Sequence, residues 1–341
     1  MRDQHSGIDP LWPRASAWLA KADVSAAAVC DLAVIGVPAH ATSITPTSAH
    51  LTPAAIRGAL ARYSTYCASR GVDVAGLSAL DFGDVPDPDG AGGEDAVTDA
   101  VCQAVGRCRL LVALGGDNSI TYAVARGVAG GRLGEMGLVT IDAHHDLRDG
   151  ATNGSPVRRL VEAGLPGARV VQIGIADFAN SAAYATRARD LGITVVTRAE
   201  LRGRDPAGVV AQALEIASGG NERPVYVDID VDVCDRAEVP ACPAAAPGGI
   251  SADELRRLAF LAAVDPRVRG IDIAEIDAER DPADQRTVRL GALLVLEAAA
   301  GLAARLGLGV RLEDSESPAY HHGGSRPAKH EPDQGGLGDG R

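Results

Sequence analysis

The sequence predicts an α/β fold of three layers in one domain, and three observations predict it. Short apolar runs recur along the chain with helix-like stretches between them, which is the alternation of a parallel sheet with crossover helices. The core-forming residues are overwhelmingly Ala, Val, Leu and Ile, because the 341 residues include only three Phe, two Trp and six Tyr. Such usage suits strands covered on both faces. Acidic residues and histidine gather directly after the apolar runs, where open α/β sheets place their sites.

In chain order, residues 32–37 (LAVIGV) give the first strand, and residues 53–63, opened by Pro53, give a helix. A helix is expected over 95–105, then a strand over 110–114 (LLVAL) that runs into Gly115-Gly116 and a helix over 122–129. The runs at 138–141, 170–175 and 194–196 give three more strands. Residues 207–217 read as a helix, 225–231 as a strand, 252–262 as a helix and 268–273 as a strand. Several helices begin after a Ser, Thr or Asp able to cap them. A long Ala/Leu-rich stretch with polar interruptions over 287–306 makes the last amphipathic helix. From 313 to 341 the chain turns to Ser, Pro, Gly, His and charges. Without periodic apolar residues this tail is expected to be disordered, its His321 and His322 solvated. The first 30 residues read as an extension and 31–312 as the domain.

Composition excludes several functions. A formal charge of −12 repels phosphate backbones, and no basic cluster offsets it, so nucleic acid is not expected as a partner. The six cysteines show neither a C-x-x-C pair nor the density of a disulfide scaffold, which points to reduced thiols in the cytoplasm. No apolar run approaches the roughly eighteen residues of a membrane span. The opening residues, MRDQHSGIDP, lack the order of a signal peptide.

The chemistry is concentrated in a few short motifs. In Leu138-Val-Thr-Ile-Asp142-Ala-His144-His145-Asp146 a strand runs into three potential ligands at a spacing of two. Alternation along extended chain puts Asp142, His144 and Asp146 on one face and His145 on the other. The run Val225-Tyr-Val-Asp228-Ile-Asp230-Val-Asp232 repeats the pattern with three aspartates. A lone D-x-D is ordinarily a solvated strand end. Two such runs on neighbouring strands would instead bury four or five carboxylates together, which is prohibitive without a counter-ion. Oxygen donors with one imidazole favour manganese, with iron, zinc, cobalt or nickel as competitors. Two ions ~3.5–4 Å apart would lower the pKa of a water toward neutrality, which is hydrolytic chemistry. The strand at 268–273 leads to Glu275, either a solvated edge carboxylate or a holder for a cationic amidine.

In the order GGDNS (115–119), DAHHD (142–146), DIDVD (228–232) and DIAEID (272–277), these motifs resemble the ureohydrolase family of arginases, agmatinases and formimidoylglutamases. The resemblance runs from about Asp31 to about Arg311 and includes Gly36-Val37-Pro38, PAAIR at 53–57 and Gly83-Asp84-Val85. It implies an arginase-like αβα fold with a mostly parallel eight-stranded sheet, and a trimer or hexamer. It also implies two ions bridged by Asp142 and Asp230, with Asn118 and Asp146 completing one site and His144 and Asp232 the other. Asp228, where the family often has Ser or Thr, is left outside the ligand set. This chain has Asn118 where the family usually has a ligating His, and Asn153 where arginases and agmatinases have the His that shuttles protons, so Asn153 cannot titrate.

The stretch 142–181 resembles formimidoylglutamases of high-GC bacteria most closely. That likeness implies hydrolysis of N-formimidoyl-L-glutamate to L-glutamate and formamide. Arg148 and Arg158 are then candidates to hold a substrate carboxylate bidentately, with Asn153 beside the substrate. Glu275 would hold the cationic nitrogen and Asp146 would orient the hydroxide. A guanidine hydrolase releasing urea, or a binding protein without catalysis, is the alternative.

Overall fold

The structure, a computed structural model, describes residue 9, residues 11–21 and residues 29–308. The expected tail and most of the N-terminal extension lie outside the described residues. Eight strands form the central sheet: β1 (Leu32–Val37), β2 (Ala79–Asp84), β3 (Leu110–Gly115), β4 (Gly137–Ile141), β5 (Val170–Ile175), β6 (Thr194–Thr197), β7 (Val225–Asp230) and β8 (Val268–Ala274). Their order is β2-β1-β3-β8-β7-β4-β5-β6, and every neighbouring pair is parallel. A two-residue strand, Ala20–Lys21, adds a ninth at the β2 edge.

Among the described residues, eight helices of seven residues or more cover the two faces: α1 (Thr52–Ala59), α2 (Gly93–Val105), α3 (Ile120–Ala129), α4 (Pro156–Glu162), α5 (Ala182–Asp190), α6 (Pro206–Ser218), α7 (Ala252–Val264) and α8 (Arg286–Arg305). The period-two alternation of the strands feeds two cores. Leu110, Val112 and Leu114 of β3 join Val225, Val227 and Ile229 of β7 and the apolar faces of α1, α6, α7 and α8. Leu111 and Ala113 face the other way, with Leu138, Tyr226 and the inner residues of α2, α3 and α4. Strands buried on both sides are therefore mainly aliphatic, as the composition implied, with polar residues such as Gln172, Asp228 and Asp272 as buried exceptions.

Local signals explain most boundaries. Ser251 caps α7 in a capping box with Glu254, and Pro206 stands in the first turn of α6. Three elements escape the apolar-run reading. Strand β2 (ALDFGD) lies near the sheet edge with its middle residues half-exposed, so it carries polar residues that hide it. Helices α4 and α5 are short, with few buried residues. Helix α8 corrects the expectation on membrane spans: by length and composition it is apolar enough to cross a bilayer, but 78% of its most apolar stretch is buried inside the protein. It is a core helix, packed on α7 and α1.

Candidate active site

The middle four strands, β3, β8, β7 and β4, end side by side, and their carboxyl ends carry all the expected ligands. Register does the alignment. Asp228 of β7 pairs with Asp272 of β8 and Thr140 of β4, and Asp230 pairs with Ala274. Beyond the last paired residues, the chain delivers Asp142, His144 and Asp146 from β4, Asp232 from β7, Glu275 from β8 and Asn118 from β3.

Close backbone approach packs these ends together. A Cβ at Gly116 would fall 1.8 Å from the Ala39 carbonyl oxygen, so the GG turn is needed for contact and not merely as a loop. Glu275 N bonds the Gly116 carbonyl at 3.0 Å. Asp146 and Glu275 have φ of 53° and 67°, the left-handed region that ordinary side chains avoid, at a cost of order 1–3 kcal/mol each. Both strained residues point functional carboxylates into the same site.

Asp142, Asp146, Asp230, Asp232 and Glu275 are at most 7% exposed. His144 is the one imidazole among them, with Nδ1 2.6 Å from Asp232 Oδ2 and 3.6 Å from Asp142 Oδ1. Asp142, His144 and Asp232 each offer a donor atom within 4.8 Å of the others. Backbone amides orient the carboxylates: Ala143 N donates to Asp232 Oδ1 at 3.0 Å, His144 N to Asp142 Oδ1 at 2.6 Å and Asp232 N to Asp230 Oδ1 at 2.8 Å. Asp142 Oδ2 has no hydrogen-bond partner. A buried carboxylate oxygen left unsatisfied, in a cluster with excess negative charge, is what a divalent cation would occupy. The donors of Asp142, His144 and Asp232 fit such a cation.

The electrostatics record the same excess. Burial, reinforced by Asp232, pushes Asp142 up to about 6, and burial with the neighbouring carboxylates holds Asp146 and Asp230 well above the usual range. Burial alone would lower His144, but Asp232 and Asp142 push it up to about 12. Burial and then Asp117 raise Glu275 to about 7.

A stability prediction follows for chelated protein. An acid whose folded pKa is raised binds its proton more tightly when folded, so stability falls as pH rises from the unfolded pKa through the folded one. For Asp142, Asp272 and Glu275, raised to about 6, 6 and 7, that window runs from about pH 4 to 7. His145, lowered by burial, opposes the trend, whereas Asp146 and Asp230, also raised, and His144, raised from 6.5 to about 12, add to it. The melting temperature in chelator should drop between pH 5 and 7.5, and manganese should restore it. A flat or rising profile in chelator would show that the cluster is not charged as described.

His145 turns away, as the alternation predicted. Its Nδ1 meets Gln172 Oε1 at 2.6 Å while Gln172 Nε2 donates to its carbonyl at 2.9 Å. Asn180 ties the same loop down, accepting from His145 N at 3.0 Å and donating to Ala143 O at 2.9 Å. The loop on either side of His144 is thus held by one side chain. Neither Gln172 nor Asn180 was legible as functional, because an amide in an aliphatic strand or a polar loop has no distinctive spacing.

Asn118 stands beside Asp146, as expected, with its amide nitrogen 2.5 Å from Asp146 Oδ2 and its oxygen 3.1 Å from Thr121 Oγ1. Ligation through oxygen therefore requires the amide to turn over. Asn153 is fully engaged: Nδ2 donates to Glu275 Oε1 at 2.8 Å and Oδ1 accepts from Ile44 N at 3.0 Å. It positions Glu275, which also accepts from Asn118 N at 2.8 Å. Asp228 lies one step deeper on β7, with Oδ1 3.2 Å from Thr121 Oγ1.

A cavity of about 260 Å³ opens above the cluster, lined by His144, Asp146, Asp230, Asp232 and Glu275 below and by Ile44, Arg148, Asn153 and Tyr184 higher up. Arg148 is exposed, and its guanidinium makes no hydrogen bond or ion pair to any described residue. Arg158 is a correction. Its guanidinium is spent on the carbonyls of Arg148 (2.6 Å) and Gly150 and on Glu162, so it braces the Arg148–Gly150 loop and does not line the cavity.

A parallel α/β sheet with buried carboxylates and one imidazole gathered at its strand ends, able to hold a divalent cation, is the arrangement of a metal-dependent hydrolase. The chain belongs to the arginase family, whose model matches residues 30–301. Formimidoylglutamase from Halalkalibacterium halodurans is 34% identical over 257 residues, 73% of this chain and 80% of that protein. The crystal structure of formimidoylglutamase from Bacillus subtilis superposes with a TM-score of 0.80 at 30% identity, covering 89% of this chain and 96% of that one. A Trypanosoma cruzi formiminoglutamase solved with Mn2+ shares the fold, with a TM-score of 0.78 at 24% identity over 86% of this chain and 99% of that one.

Proposed function

We propose that this chain hydrolyses N-formimidoyl-L-glutamate to L-glutamate and formamide with two manganese ions. The observation that carries the substrate is the cavity itself, which joins a carboxylate cluster at its floor to an unpaired guanidinium, Arg148, at its mouth. An amidine head and a carboxylate tail match those two ends. A cationic tail such as that of agmatine would meet Arg148 as a like charge.

Bound among Asn118, Asp142, His144, Asp146, Asp230 and Asp232, two divalent cations would offset the buried charge and supply an activated water. Glu275 has one oxygen committed to Asn118 N and Asn153, which leaves Oε2 to accept from the amidine nitrogens. Asp146 orients the water and takes its proton. The water oxygen bonds to the formimidoyl carbon, the bond from that carbon to the glutamate nitrogen breaks, and the leaving amine recovers a proton from Asp146 or solvent. Asn153 holds Glu275 in place but carries no proton.

A substrate panel in the presence of Mn2+, scored for formamide, glutamate and urea, tests the reading. Efficient release of urea from agmatine or a guanidino acid, with formimidoylglutamate untouched, would replace it by guanidine hydrolysis. Asn118→His should lower the manganese concentration for half activity by on the order of tenfold, roughly 1.4 kcal/mol, because imidazole is the stronger ligand. Unchanged or weaker binding by calorimetry would place residue 118 outside the ligand set.

A further inference from the structure

Four oxygen atoms meet under the cation site: the Thr121 hydroxyl, the Asn118 amide oxygen and one carboxylate oxygen each from Asp228 and Asp272. Thr121, in the first turn of α3 and wholly buried, sets its Oγ1 3.1 Å from Asn118 Oδ1, 3.2 Å from Asp228 Oδ1 and 2.9 Å from Asp272 Oδ2. A threonine hydroxyl donates once. The shortest of the three contacts is to a carboxylate, and bonds to charged acceptors are the stronger. Once the proton goes to Asp272, Thr121 Oγ1 and Asn118 Oδ1 face each other with lone pairs only.

Turning the Asn118 amide over resolves this. Nδ2 then donates to Thr121 Oγ1, and Oδ1 points toward Asp146 and the cations. The turn sacrifices the bond from Nδ2 to Asp146 Oδ2, 2.5 Å long, so it is favoured only when positive charge stands beside Asp146. Amide oxygen and nitrogen are nearly isosteric, and it is the surrounding hydrogen bonds that decide between them.

We infer that Thr121, itself oriented by Asp272, is a positioning residue that holds the Asn118 amide with its oxygen toward the cation site. This rests on the two-cation reading above. Aspartates on β7 and β8 are brought level by register, so the pair supplies the acceptor from beneath while α3 supplies the hydroxyl from the side. Groups that orient metal ligands typically shift affinity by roughly 10- to 100-fold when removed.

The experiment is calorimetric titration of the full chain with Mn2+, for wild type, Thr121→Ser, Thr121→Ala and Thr121→Val, each also in an Asn118→Ala background. Wild type should bind two ions. Removing the hydroxyl should weaken one of them at least about tenfold and leave the other within about threefold, while Ser restores wild-type binding. In the Asn118→Ala background, the same changes at 121 should have no further effect on the weaker ion. Equal weakening of both ions, unchanged binding without the hydroxyl, or full additivity with Asn118→Ala would overturn the inference. Should the valine variant not fold, the alanine and serine pair decides. If wild type itself binds fewer than two ions, the two-cation reading fails instead.

Discussion

Asp230→Asn should reduce turnover by about three orders of magnitude or more, about 4 kcal/mol of transition-state stabilisation, while the protein remains folded. Burial raises the Asp230 carboxyl and the charges of Asp232, Asp142 and Glu275 raise it further, and on the two-cation reading no neighbouring group can replace its charge. The substitution is nearly isosteric, and it removes one negative charge from a buried cluster that already repels itself. Metal-free Asp230→Asn should consequently melt higher than metal-free wild type, although it binds less manganese. Activity and apo stability then move in opposite directions, as expected where a site is built against stability. Asp142→Asn should behave alike, and chelation of wild type should abolish activity reversibly. Full turnover by either variant, or by thoroughly stripped enzyme, would sink the two-cation reading.

Arg148→Ala should raise KM for formimidoylglutamate about 10- to 100-fold and leave the hydrolysis of a tail-less amidine nearly unchanged. A hydrogen bond to a charged group contributes roughly 1.5–3 kcal/mol, and about 1.4 kcal/mol makes a decade. The range is set with Arg148 exposed in the free enzyme, because solvent screens part of what a buried pair would give. Removing uniform binding energy shows in KM and not in kcat. Arg158→Ala should act differently: by freeing the carbonyls of Arg148 and Gly150 it loosens the loop and impairs all substrates together. An equal loss on the tail-less amidine in Arg148→Ala would assign Arg148 a structural task.

How much the sequence discloses depends on whether a residue's job has a period. The apolar strands inside the sheet's edges are buried on both faces, so β1 and β5 are legible to the residue. Strand β2 is not, because its half-exposed middle residues admit Asp81 and Gly83. The candidate ligands on β4 and β7 are legible because alternate residues at a strand end must share a face. Arg158 misled because the family resemblance sets it near the site, and sequence cannot show that two carbonyls and Glu162 already claim its guanidinium. Thr121 escaped for the converse reason: a threonine in a helix's first turn looks like ordinary capping until β7 and β8 set two aspartates beside it.

The strand order carries a consequence for synthesis. β3 and β4 are near in sequence but are separated in the sheet by β7 and β8, the last two strands made. A chain emerging from the ribosome has Asn118 and the 142–146 ligands early, but they have no common wall until residues 225–275 are inserted between them. Until then the inner edges of β3 and β4 are unpaired, a hazard for association with other nascent chains. Cations cannot be captured in the final geometry before that insertion, so loading must follow the closure of the sheet and cannot template its first half.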